Sequence, residues 1–215
     1  MTFSIVARDP QTGAFGVATA TAGPMVGALV PHRRRGVGAA ATQAMTNPYL
    51  ATDALALLDR ETTAAALQSA LARDPEAERR QIIVVGRDGD AEGWTGNQCV
   101  SHAGHLVEAG VAVAGNMLAR PAVLENMLVA YRRTLVTDGF PAALLAALIA
   151  GADAGGDSRG IGSAALLVQG DQVFADVDLR VDWSSNPMSE LAALFRLATT
   201  GPYAEFLAEV PRHPL

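Results

Sequence analysis

The chain opens on a strand-turn-strand pattern: Phe3 to Asp9 is apolar and β-branched, Pro10-Gln11-Thr12-Gly13 is turn chemistry, and Ala14 to Thr21 resumes the strand. Thr2 therefore stands at the leading edge of the first strand. A loop rich in Gly and Pro follows, ending at Pro31-His32-Arg33-Arg34-Arg35-Gly36, and a strand of small residues runs from Val37 to Gln43. Asn47-Pro48 is a helix-start signal, because Asn caps free amides and Pro suits the first turn; Leu50, Ala54, Leu57 and Leu58 then keep helical spacing to about Asp59. A second helix is predicted from Thr63 to Arg73, stopped by Asp74-Pro75. Gln81 to Val85, a turn at Arg87 to Asp90, and Ala91 to Thr95 predict a hairpin, and Gly110 to Gly115 a further strand.

Two helices follow, from Pro121 to about Thr134 and from Pro141 to Ala152. The second is apolar on every face, the pattern of a buried helix. After the break at Gly155 to Gly160, strands are predicted from Ser163 to Val168 and from Gln172 to Val177 around a Gly170-Asp171 turn, with closing helices from Pro187 and Pro202. Strand pairs joined by short turns imply antiparallel sheets, and paired helices imply layers outside them. The fold class read from this order is α+β, arranged helix, sheet, sheet, helix in four layers. No internal repeat or linker interrupts it, so residues 1–215 are read as one domain.

Composition narrows the function. Half the residues are hydrophobic and 18% are charged, which excludes a disordered chain. A formal charge of −6 and a pI near 5.1 argue against nucleic acid as a partner. All 16 basic residues are Arg, so Schiff-base chemistry, Walker-type phosphate loops and a lysine base are excluded. The single Cys99 allows neither an internal disulfide nor a multi-cysteine metal cluster; a buried, inert thiol is its simplest reading. No signal peptide is read at the amino terminus, and the apolar stretch from Phe140 to Ala150 is too short to span a bilayer, so the expectation is a cytoplasmic protein with no membrane partner.

Thr2 carries the first candidate chemistry. Removal of Met1 leaves a hydroxyl nucleophile and an α-amine on one residue, and an amine titrating near pH ~8 can take the hydroxyl proton at neutral pH and return it to a leaving group. Four stretches occur in order along the chain: Thr2-Phe-Ser-Ile-Val-Ala-Arg-Asp9, Gly36-Val-Gly-Ala-Ala-Ala-Thr-Gln43, Val113-Ala-Gly-Asn116, and Gly155-Gly-Asp-Ser-Arg-Gly160 with Ser163-Ala-Ala-Leu166. They resemble the DUF 1028 family, placed in the N-terminal nucleophile (Ntn) hydrolase superfamily with an αββα sandwich. The resemblance implies a Thr2 nucleophile, an oxyanion held by backbone amides near Thr42 and Gln43, and Asn116, Asp157 and Ser163 around the amine. The hairpin to Gly23 is similar to the opening of proteasome β-type subunits, but their lysine beside the nucleophile has no counterpart.

The nearest candidates for that charge are Arg33, Arg34 and Arg35; with Arg159, Arg33 and Arg34 are read as holding an acidic group of the substrate. An arginine stays protonated and cannot act as the base. The function implied is hydrolysis of a small amide or peptide-like substrate, with no cofactor and no metal. The rival reading is a binding or assembly protein on the same fold. A homo-oligomer, in the simplest case a dimer, is expected from a mean hydropathy of +0.21 and few charges. His102 and His105, three apart, suit one helical turn holding a metal, but no carboxylate stands near before Glu108. Asp176, Asp178, Arg180 and Asp182 read as a charge-paired sheet edge, and Trp94 and Phe15 as core or groove-lining residues.

Overall fold

The computed structural model describes residues 2–213. The opening hairpin is β1 (Thr2–Arg8) and β2 (Phe15–Thr21), followed by a short α1 (Val26–Leu29), β3 (Pro31–Arg34) and β4 (Gly38–Ala44). Then come α2 (Pro48–Leu57), α3 (Thr63–Leu71), β5 (Arg80–Gly86), β6 (Ala91–Thr95), β7 (Gly104–Glu108) and β8 (Val111–Asn116). The chain closes with α4 (Ala122–Thr137), α5 (Phe140–Asp153), β9 (Ser163–Gln169), β10 (Val177–Val181), α6 (Pro187–Thr199) and α7 (Gly201–Glu209). All strand pairs are antiparallel. They form a six-stranded sheet ordered β10-β9-β2-β1-β8-β7 and a four-stranded sheet ordered β3-β4-β5-β6.

Side chains alternate along a strand, so β1 serves two environments. Phe3, Ile5 and Ala7 join Leu144 and Leu148 of α5 and Met127 of α4 in one apolar cluster. Val6 turns the other way, to Phe15, Val17, Ala39, Ile83 and Val85, where the two sheets meet. On the far side of the second sheet, Ala40, Ile82 and Val84 pack with Leu50, Leu55 and Leu67 of α2 and α3. The all-apolar helix predicted at 141–152 is buried as expected: Leu144 and Leu148 are fully covered. Gly16 admits this helix, because a Cβ there would collide with Leu144 and touch Phe140.

The helix starts follow from local chemistry. Asn47 Oδ1 accepts the Tyr49 amide at 3.1 Å with Pro48 in the first turn, and Thr62 caps α3 through the Ala65 amide at 3.3 Å. Such caps contribute about 1 kcal/mol each.

Three predicted segments differ. Pro31 to Arg34 is a strand instead of the end of a loop, because β4 offers it an open edge in the register Pro31↔Ala41 to Arg34↔Gly38. The His102–His105 stretch is no helical turn: Gly104 begins β7, which returns into β8 through Ala109-Gly110, with Gly110 at φ 75 supplying the left-handed turn position. The strand predicted at 172–177 lies at Val177–Val181 instead. Gln169 Nε2 donates to the carbonyls of Gln172 at 2.6 Å and Phe174 at 3.2 Å, curling the segment between them off the ladder.

Candidate active site

At one end of the space between the sheets the apolar filling gives way to polar side chains. Register aligns Ser163, Thr21, Thr2 and Asn116 across four adjacent strands, β9-β2-β1-β8. Residues directly opposite share a face, so the row spans about 14 Å on the side turned to the second sheet. Ser4 and Thr19 stand one step deeper as a paired couple. Gln43 on β4 and Gln81 on β5, also paired, face them from the other sheet. Thr2, Ser4, Thr19, Gln43, Gln81, Asn116 and Ser163 are all buried.

Hydrogen-bond counting fixes the amide orientations. Gln81 Nε2 faces the carbonyl oxygens of Gly104 at 3.0 Å and Gly115 at 2.9 Å, with Thr95 Oγ1 at 2.9 Å. Carbonyls only accept, so this end of Gln81 must be the NH2 group and Oε1 points the other way. That oxygen accepts from Gln43 Nε2 at 2.7 Å and Asn116 Nδ2 at 3.0 Å. Both amides therefore turn their NH2 groups inward, where they also reach the Thr2 carbonyl, at 3.2 and 3.5 Å. Gln43 Oε1 accepts from Ser4 Oγ at 2.6 Å, and Ser4 lies 2.8 Å from Thr19 Oγ1. Asn116 Oδ1 is left with no protein donor among the described residues.

Thr2 is thus held at its carbonyl by two amides and at its hydroxyl by Thr21 Oγ1, 3.2 Å away. It is 7% exposed, so it faces neither bulk solvent nor hydrocarbon. The network continues from Thr95 Oγ1 to His105 Nδ1 at 2.8 Å. Burial lowers the His105 pKa against the opposing effect of Glu92 and so favours the neutral ring.

Beside this row opens a cavity of about 260 Å³, lined by Ala44, Arg79, Cys99, Asn116, Met117 and Arg159 among others. Three described non-glycine residues have left-handed backbone, and two of them, Ala44 at φ 70 and Met117 at φ 48, are on this lining. Such conformations cost of order 1–3 kcal/mol and gather at functional sites. Burial raises the Cys99 thiol pKa, and the charge of Glu78 adds to the effect.

Among the residues singled out in the sequence, the structure brings Thr2, Gln43 and Asn116 into one hydrogen-bonded group. Asp157 and Ser163 sit next to it and act on the segment after β2. Asp157 Oδ2 accepts the Ala22 amide at 3.0 Å, while Ser163 Oγ donates to the Gly23 carbonyl at 2.6 Å and accepts the Val26 amide at 3.2 Å. Thr42 is close but committed: its amide donates to the Val30 carbonyl at 3.1 Å and its hydroxyl to the Asn47 carbonyl at 3.1 Å. Arg159 is on the cavity wall.

Arg33, Arg34 and Arg35 are elsewhere. Arg34 pairs with Gly38, at the far end of β4 from Ala44, a separation of about 20 Å along the strand. Arg33 donates to Gln169, Arg34 binds Asp59, and Arg35 donates to the Asp171 carbonyl. His102 and His105 belong to no group of three metal-binding side chains among the described residues. Phe15 is core, and Trp94 is half-buried with its indole N–H on the Ala77 carbonyl. Arg180 and Asp182 form the expected edge pair at 2.8 Å. No helix among the described residues is long and apolar enough to cross a membrane.

Sequence reading missed Ser4, Thr19, Thr21 and Gln81. The signal was available as polar residues at period two inside buried strands, Thr2 and Ser4 on β1 and Thr19 and Thr21 on β2.

No curated protein matches the chain. Among solved structures, protein SPO2555 from Silicibacter pomeroyi, of family DUF1028, is 35% identical with a TM-score of 0.90, over 98% of this chain and 91% of that one. Anbu (ancestral beta-subunit) from Yersinia bercovieri is a distant match, 12% identical with a TM-score of 0.44, over 99% of this chain and 100% of that one. Anbu from Hyphomicrobium sp. strain MC1 is more distant, at 10% identity and a TM-score of 0.34, over 99% of this chain and 100% of that one. The model of the family described as "Family of unknown function (DUF1028)" matches residues 2–191, and by that match, with the SPO2555 likeness beside it, the chain belongs to the DUF1028 family.

Proposed function

We propose that the chain is a four-layer αββα sandwich of the N-terminal nucleophile type and hydrolyses a small amide or peptide-like substrate through Thr2. The observation that carries this reading is the setting of Thr2: a buried hydroxyl at the end of a central strand, ringed by polar groups, whose register partner Asn116 lines a cavity. A network of buried amides that could have been an apolar core is a cost to folding, and such breaks of local rule gather where function demands them.

Once Met1 is removed, the Thr2 amine takes the proton from Oγ1 as the oxygen attacks the substrate carbonyl. The tetrahedral adduct collapses, the C–N bond breaks, and the same proton passes to the departing amine. Water then cleaves the ester, with the amine again accepting a proton. Gln43 and Asn116 hold the Thr2 carbonyl, which fixes amine and hydroxyl relative to the cavity. Asp157 and Ser163 fix the 22–26 segment that carries the chain away from Thr21.

The second reading, a binding protein without catalysis, is favoured by one observation: the hydrogen bonds of Thr2 all go to neutral groups. Terminal sequencing of protein made in the cell separates the two. The enzyme must begin at residue 2, and amide hydrolysis by protein that retains Met1 overturns the terminal-nucleophile mechanism.

A further inference from the structure

The cavity beside Thr2 has a chemical bias of its own. Among the described residues its only charged lining groups are Arg79 and Arg159; their acidic partners, Glu76 and Asp157, are not on the lining. Arg159 is held along one edge of its guanidinium and Arg79 at one nitrogen. Arg159 gives Nε and Nη2 to Asp157, at 3.3 and 3.2 Å, and Arg79 gives Nη1 to Glu76 at 2.5 Å. Arg159 Nη1 and Arg79 Nη2 have no protein acceptor among the described residues. The two contacts to a buried Asp157 also limit the rotamer entropy Arg159 loses when a ligand binds. Asp157 is itself rigid: its side chain is fully buried and accepts the Ala22 and Arg159 amides.

The third group is Asn116. Its NH2 is committed to Gln81 and Thr2, so Oδ1 is the atom left to a ligand, and Oδ1 accepts an N–H. Register places Asn116 opposite Thr2, about 5 Å away between Cα atoms. A cavity of about 260 Å³ suits a ligand of metabolite size.

The geometry points to a ligand that is a small amide bearing a carboxylate on its amine side, of the N-acyl amino acid type: the carboxylate lies between Arg79 and Arg159, and the amide N–H donates to Asn116 Oδ1. This assignment deepens the hydrolase reading by naming its substrate class. It is measured as binding, with Thr2 replaced, so that loss of catalysis and loss of the subsite are told apart. A guanidinium-carboxylate contact is a strong, charge-assisted hydrogen bond, whereas a neutral amide in the same place forfeits the charge.

The test is calorimetric titration of the Thr2→Ala protein with N-acetylglycine and with its neutral analogue N-acetylglycinamide. The acid is expected to bind at least tenfold more tightly. Arg159→Gln and, separately, Arg79→Gln each reduce that preference by about tenfold; the partner of Arg79, Glu76, is exposed whereas the partner of Arg159, Asp157, is fully buried, so the Arg79 variant serves if Arg159→Gln fails to fold. The sole cysteine reports location: Cys99 lines the same cavity, and saturating N-acetylglycine slows its alkylation by iodoacetamide in the Thr2→Ala protein. Equal affinity for the two ligands, no binding of either at millimolar concentration, or a preference untouched by both arginine changes overturns the assignment. Activity or inactivity of the Thr2 protein bears on none of these outcomes.

Discussion

Replacing Thr2 by Ala lowers amide hydrolysis by at least about 10³-fold while leaving the protein folded. The size follows from the role: removing a covalent nucleophile leaves only binding and electrostatic stabilisation, and in serine hydrolases such losses run from about 10⁴ to 10⁶ in rate. The fold survives because the Thr2 hydroxyl makes one neutral hydrogen bond, to Thr21, worth about 1 kcal/mol. For a chain of this length that is a shift of roughly 2–4 °C in melting temperature. The polar grip on residue 2 is on its carbonyl, which every substitution keeps. Thr2→Ser, with hydroxyl and amine both present, retains hydrolysis well above the Ala variant. Progress curves on a panel of N-acyl amino acids, beside thermal melts of the three proteins, check both halves. Equal rates for Thr2 and Ala proteins refute the role of the hydroxyl.

The second large effect concerns Gln81, which the proposed chemistry never touches. Gln81→Glu is nearly isosteric, but it puts an oxygen where an NH2 group faced the carbonyls of Gly104 and Gly115. A carboxylate oxygen there opposes two carbonyls that only accept, against the Thr95 hydroxyl as its one nearby donor, so the folded protein holds the new carboxyl protonated, while in the unfolded chain it ionises near pH ~4.3. The sign follows from linkage. A folded-state pKa raised above the unfolded value makes the variant lose stability as pH rises through about 4.3, by about 1.4 kcal/mol per pH unit until the folded group itself ionises. A carboxyl that stays protonated in the folded protein up to pH 7 brings this pH-dependent deficit to about 3.7 kcal/mol. Urea unfolding of both proteins at pH 4.5 and pH 7 measures it. A gap that stays constant between the two values contradicts the orientation assigned to the Gln81 amide, and with it the inward turn of Gln43 and Asn116.

Much of the fold is legible in the chain because periodicity and turn chemistry are local. The β1-β2 hairpin, α2 after Asn47-Pro48 and the all-apolar α5 are set by residues adjacent in sequence. Segments whose state depends on distant partners are not legible in this way. Pro31 to Arg34 becomes a strand because β4 is there to pair with it, and 172–176 leaves the ladder because the Gln169 side chain takes its carbonyls.

The site shows the same division. Thr2, Gln43 and Asn116 stand out through the resemblance, but which charges reach them is a matter of which end of each strand faces which. An antiparallel register set by β3 and β4 sends Arg33 to Arg35 to the opposite end of the sheet, and the isolated turn Gly155 to Gly160 brings Arg159 to the cavity. Arg79 escapes a sequence reading altogether, because the single turn of 3-10 helix from Ala77 to Arg79 that presents it carries no motif.

The central claim is that the Thr2 oxygen is a nucleophile, and covalent capture tests it most directly. A simple β-lactone opens when a hydroxyl attacks its carbonyl and the ring C–O bond breaks, leaving an ester whose mass equals the whole probe. Incubating protein that has lost Met1 with such a lactone, followed by intact-mass measurement and peptide mapping, is expected to give one adduct per chain, on Thr2 and absent from Thr2→Ala. An unmodified Thr2 in processed, folded protein, or a label carried equally by the Ala variant, contradicts it.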